Sequence, residues 1–202
     1  MMIYSLIIGV TILCVMGLNL CFGMAFYGYD FIFVLEMIGL HIVVVFIIDA
    51  ILATIIRHLL PAKWFDFRLK QFHISKQERK IYEKLQIKKW KDKIPELGQF
   101  AHFRKNKLED PTNNAYVERF ILECCYGEGV HFSSIIFGFL IVLMYPQYAL
   151  MFAIPVAIAN AIIHSLSLMI LRYNRPKLEV LFERNRRRSN REHQEQGKEN
   201  EF

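Results

Sequence analysis

The sequence predicts an all-α, polytopic membrane protein: four transmembrane helices in two hairpins, with a cytosolic interfacial helical segment between them. Three observations lead there. Residues 1–29 carry no charge, 31–56 carry only Glu36 and Asp49, and 130–171 carry none. Each of the first two runs is long enough for one helix across about 30 Å of hydrocarbon, and the third is long enough for two. All 25 Lys and Arg residues fall outside these runs, between Arg57 and Arg119 or between Arg172 and Lys198.

The elements follow in order. The first hairpin occupies 1–56, with spans near 3–27 and 32–56. The first run lacks a basic n-region and is followed at once by a second span, so it reads as an anchor rather than a cleaved signal. The basic segment 57–129 is too long for a loop and thin for an independent core. Within it Leu60, Trp64, Phe67 and Gln71 keep helical spacing after Pro61, beside Lys63, Arg68 and Lys70, which predicts a helix lying in the interface. Ser75 and Glu78 form a capping box opening a second helix, which Pro95 and Gly98 stop. Thr112 or Asn113 caps a helix running towards the third span. The second hairpin occupies 130–171, with spans near 131–144 and 149–171 that turn at Tyr145–Tyr148. The first of these is short and is expected to begin a few residues upstream; Gly127 and Gly129 weaken helix there. The tail 172–202 carries five arginines between Arg184 and Arg191, placed near lipid heads, and its end reads as disordered.

Loops rich in Lys and Arg stay in the cytosol. The reading is therefore a multi-pass cell-membrane protein with its central segment and C-terminus cytoplasmic. The net charge of +6 reflects that topology and attraction to anionic lipid, not nucleic acid. The four cysteines, two in the first span and two adjoining at Cys124 and Cys125, do not form a disulfide framework.

Ionisable groups inside a bilayer are expensive and suggest function. Asp49 lies seven residues before the end of its span, about 10 Å deep at ~1.5 Å per residue. His164 lies at similar depth before Leu171, and His131 enters from the same side, so the three can converge in the cytosolic leaflet. Interhelical hydrogen bonding is the competing role for Asp49 and His164, and the expected one for Glu36 and His41. Glu128 and His131 are three apart, hence neighbours on a helix; a carboxylate beside an imidazole orients it as a general base. The same Glu-x-x-His spacing occurs in di-iron bundles, but no second pair is present, and no metal or cofactor is expected.

Three motifs carry a resemblance: Pro61, Lys63 and Trp64 leading to Lys89, Trp90, Lys91 and Lys93; Glu123, Glu128, His131 and Phe132; and Arg172, Tyr173, Asn174, Arg175, Pro176, Lys177 and Leu178. Over residues 55–188 the chain resembles the glycosyl-4,4'-diaponeurosporenoate acyltransferase family, associated with the last step of staphyloxanthin synthesis. The resemblance implies acyl transfer from an activated fatty acyl donor, as co-substrate, to the C6 hydroxyl of a sugar on a carotenoid acid or related glycolipid. Its partners are then the donor and a glycosylated isoprenoid or other membrane lipid. His131, Glu128 and Glu123 are the catalytic candidates. Arg172, Asn174 and Arg175 are expected to hold the donor's phosphate or the developing oxyanion, and Lys89, Trp90 and Lys91, with Asp49 and His164, to bind substrate. A non-enzymatic membrane partner organising a lipid-synthesis complex is the alternative.

Overall fold

The structure, a computed structural model, describes residues 2–91 and 108–199, and among them there is no strand. Four helices are long and apolar enough to cross a membrane: Gly9–Tyr27, Phe31–Leu59, Asn114–Leu143 and Pro146–Arg191. α1 (Met2–Tyr27) and α2 (Phe31–Thr54) are apolar on all sides, as membrane helices are. Gly28, at φ +66°, turns the chain between them. Asp30 then caps α2 by accepting the Ile32 amide at 3.0 Å.

α2 ends in a π turn, Ile55–Leu59. The single interfacial helix expected after Pro61 is instead two 3₁₀ turns, Ala62–Phe65 and Lys70–Phe72. Asp66 breaks it: its carboxylate accepts the Arg68 amide at 2.9 Å, a local turn that competes with helix. Phe65 and Phe72 thereby turn inward onto the helices. Ser75 does cap α3 (Lys76–Lys84), accepting the Glu78 amide at 3.1 Å. Gln86, in the left-handed region at φ 52°, separates α3 from α4 (Ile87–Trp90). The stop at Pro95 and Gly98, and Lys93, lie outside the described residues.

α5 (Asn114–Phe137), capped by Asn113, runs through both glycines and continues as 3₁₀ to Leu143. The third span thus starts far upstream of residue 131. Gly129 is required there because a Cβ would come within 2.9 Å of the Phe65 ring. After the turn at Pro146–Tyr148 and a π segment, Ala149–Ala153, α6 (Ile154–Glu199) runs as one helix. The end read as disordered is helical to Glu199: Glu, Gln, Arg and Lys extend an existing helix without a nucleation cost.

α5 and α6 pack antiparallel along most of their length. Towards the Asn114 end of α5, Val117, Phe120, Ile121 and Cys124 meet Leu171, Leu178 and Phe182 on α6, with Phe65 and Phe72 closing the side. Full burial of each such side chain stabilises by about 1.5–3 kcal/mol. The central segment is therefore packed onto the bundle's charged end. Farther in, Ala149, Ala153 and Ala157 let α6 approach Val45 and Ile141 closely. At the apolar end Tyr29, Phe33, Tyr148 and Phe152 form an aromatic cluster. His41 sits there fully buried, with Nδ1 2.6 Å from the Met37 carbonyl.

Candidate active site

Two polar clusters occupy the charged end, both built on facing residues of α5 and α6. The first joins three spans. The Nε2 of His164 on α6 lies 3.0 Å from Oδ2 of Asp49 on α2, and its Nδ1 lies 2.8 Å from Nδ1 of His131 on α5. The Asp49 and His164 side chains are 13–14% exposed, and His131 is half-buried. Oδ1 of Asp49 is buried and has no hydrogen-bond partner among the described residues. The depth count that placed Asp49, His164 and His131 together thus corresponds to a continuous chain of contacts.

The protons in this chain follow from its carboxylate end. Ionised Asp49 only accepts, so His164 donates from Nε2. The Nδ1 of neutral His164 is then an acceptor, and His131 donates to it from Nδ1. That assignment leaves the lone pair of His131 on Nε2, the tautomer a base needs.

The second cluster lies one turn down α5. Glu128, read from sequence as the partner of His131, gives its carboxylate to arginines instead. Arg175 donates to it from Nε at 2.6 Å, and Arg172 from Nη1 at 3.0 Å. Arg172 also grips Glu78 of α3 with two bonds, 2.6 and 3.0 Å, and reaches the His73 carbonyl at 3.3 Å. Arg175 additionally bonds Glu179 and the Phe72 carbonyl. Arg175 is 1% exposed and Glu128 3%. Pro176 supplies no amide to the preceding turn of α6, so the Arg172 carbonyl loses its usual helical donor.

Charge pairing shifts the groups of this cluster that lie outside the spans. The hydrogen bond from Arg172 holds the Glu78 carboxyl below its ordinary value. Burial, then the hydrogen bond to Glu78, pushes the Tyr82 hydroxyl up. A cleft of about 520 Å³ opens beside the cluster, walled by His73, Arg79, Tyr82, Tyr173 and Lys177 among others.

Other sequence candidates sit around these clusters. Glu123 pairs with Arg57 at 2.9 Å and does not join either one. Asn174 is half-buried on α6 between the two arginines. The indole of Trp90 packs against Ile170 of α6 and donates to the Leu85 carbonyl at 3.0 Å. Lys89 beside it is exposed and Lys91 half-buried. Sequence reasoning did not find Glu78, Tyr82 or Glu179. The capping box fixed Glu78 on a helix, but nothing local shows that its carboxylate reaches an arginine 94 residues away.

The sequence model described as glycosyl-4,4'-diaponeurosporenoate acyltransferase matches residues 61–184, which contain Glu128, His131, His164 and both arginines. The chain belongs to this family. It is accordingly an acyltransferase, of a family that acts in staphyloxanthin biosynthesis. No curated protein and no solved structure matches the chain. Within this acyltransferase the matched stretch supplies α3 to α6 up to Arg184, whereas Asp49 comes from α2, before the match begins.

Proposed function

We propose that this acyltransferase esterifies the C6 hydroxyl of a sugar carried on a carotenoid acid, using an activated fatty acyl donor, with His131 as general base. The observation that carries the reading is the Asp49–His164–His131 chain, held by three separate spans.

A sugar hydroxyl is far too weak an acid to ionise at neutral pH, so attack on an acyl carbonyl needs a base in contact with it. His131 takes the hydroxyl proton at Nε2 as the oxygen bonds to the acyl carbon. The positive charge that develops on its ring is stabilised through His164 by the Asp49 carboxylate. When the tetrahedral adduct collapses, the leaving group takes that proton from His131 and the ester is released. Asp49 and His164 position the base and tune its strength. Glu128, Arg172 and Arg175 brace α5 against α6 and α3, so that His131 and His164 stay in register.

Topology supports this placement. With all Lys and Arg outside the charge-poor runs 1–29, 31–56 and 130–171, the positive-inside rule puts the central segment and the end of α6 in the cytosol. The 520 Å³ cleft lies on that side, lined by Arg172 and Arg175 rather than by the relay, and its volume is within the range of ligand sites. The test is His131→Gln in a strain lacking the native gene, with lipid extracts resolved by mass spectrometry. The unacylated glycosyl carotenoid should accumulate while the protein inserts normally. Normal acylated product from the variant would overturn the assignment.

A further inference from the structure

Above the relay two cavities follow one another along a single stripe of α1. A narrow groove of about 50 Å³ is lined by Thr11 and Val15 of α1, by Val45 and Phe46 of α2, and by Ala159 and Ile163 of α6, among others. None of the relay residues lines it, but Phe46 is three residues from Asp49 and Ile163 adjoins His164, so its inner end lies near the relay. The second cavity, about 440 Å³, is lined by Leu18, Asn19 and Phe22 of α1 and by Tyr148, Met151 and Pro155 opposite. Thr11, Val15, Leu18, Asn19 and Phe22 recur every three or four residues, one face of a helix. Asn19 is 4% exposed, and its amide Nδ2 has no hydrogen-bond partner among the described residues.

From Thr11 to Tyr27, which also lines the second cavity, the seam is about 24 Å long at ~1.5 Å per residue. One leaflet of a bilayer contributes only about 15 Å of hydrocarbon. A molecule with its polar head at the relay must therefore cross the midplane to fill the seam, and phospholipid acyl chains stop there. We propose that this seam binds the isoprenoid chain of the acceptor, laid lengthwise along α1 with its sugar at His131. Phe46, Phe22 and Tyr148 give the two cavities aromatic lining suited to a conjugated chain, and the buried Asn19 Nδ2, without a partner among the described residues, is a donor of the kind a π system accepts. This placement rests on the acyl transfer to a glycosylated isoprenoid proposed above.

The experiment uses the full chain in liposomes with two long-chain isoprenyl glucosides, one bearing a diazirine at its far end and one beside the sugar. After photolysis, mass mapping should find the far-end label on Asn19, Phe22, Tyr148 or Met151, and the near-sugar label on Phe46 or Ile163. Identical maps for both probes, or labelling spread over lipid-facing Leu13, Phe139 and Ile158, would overturn the seam. A rate measurement provides the second arm. Met151→Trp should slow acylation of the long glucoside about tenfold or more but leave octyl glucoside within about twofold, because remote binding energy is lost only for the long chain. Equal effects on both acceptors would also count against the seam. If the wild-type protein acylates neither glucoside, the proposed reaction fails, and the photolabelling maps still decide the seam.

Discussion

The relay and the arginine cluster share α5 and α6, yet they are opposites in design. In the relay every link is a group that can gain or lose a proton, and one oxygen of Asp49 has no partner among the described residues. In the arginine cluster three carboxylates and two carbonyls take up the guanidinium donors of Arg172 and Arg175. A buried arginine saturated in this way neither releases protons nor turns to a new ligand without breaking several charge-assisted bonds. The comparison separates two jobs that polar residues do at a membrane boundary. One set is arranged for proton movement, and the other fastens three helices together.

The strongest way to break the comparison is at its ends. His131→Gln should lower acyl transfer by about 10²–10⁴-fold, the usual span for a general base, with the thermal midpoint in detergent nearly unchanged. Arg175→Ala should do the reverse. It leaves the buried Glu128 carboxylate with Arg172 alone and removes the donors to Glu179 and the Phe72 carbonyl, a loss of about 3–5 kcal/mol, measured as a lower midpoint or failure to accumulate in membranes. Arg175→Lys should rescue little, because an ammonium cannot reproduce the fork that reaches Glu128, Glu179 and the Phe72 carbonyl together.

Asp49→Asn sharpens the relay itself. Turnover should drop roughly 10–100-fold, less than for His131→Gln, because the base remains in place. Turnover near wild type in this variant would show that Asp49 only packs.

Glu78 offers a pH test of the fastening role. Its carboxyl is held below the ordinary 4.5 by Arg172. The pair therefore stabilises the fold fully above about pH 4.5, and that contribution is lost as pH falls through the lower folded value. Glu78→Gln should flatten the acid-side fall of the melting temperature and leave it lower near neutrality. The smallest effect is expected at Glu123, whose partner Arg57 is 39% exposed. Glu123→Gln should cost under about 1 kcal/mol and leave turnover near wild type. A large rate loss there would return Glu123 to the catalytic set.

Much of this was legible from residue order. Charge-poor runs gave the four spans, and counting from their ends put Asp49 and His164 at similar depth, with His131 entering from the same side. The pairing of Glu128 was not legible. Glu128 and His131 do share a face of α5, as their spacing says, but each meets α6 rather than the other. Because α6 runs antiparallel, the residue three later on α5 meets α6 eight to eleven residues earlier: Glu128 finds Arg172 and Arg175, and His131 finds His164. Two full charges within reach of a carboxylate outweigh a neighbouring neutral imidazole. Gly127 and Gly129 misled for a related reason. Their low helix propensity is a local cost, and packing of Phe65 into the space at Gly129 offsets it.

By itself the sequence determined that the chain has helices long and apolar enough to cross a membrane, which ends carry charge, and that Asp49 and His164 lie at similar depth, because hydropathy and helix rise depend only on residue order. The tertiary structure decided which groups meet. Hydrogen-bond partners are chosen by the direction and register of packed helices, and neither is written in the spacing along a single one.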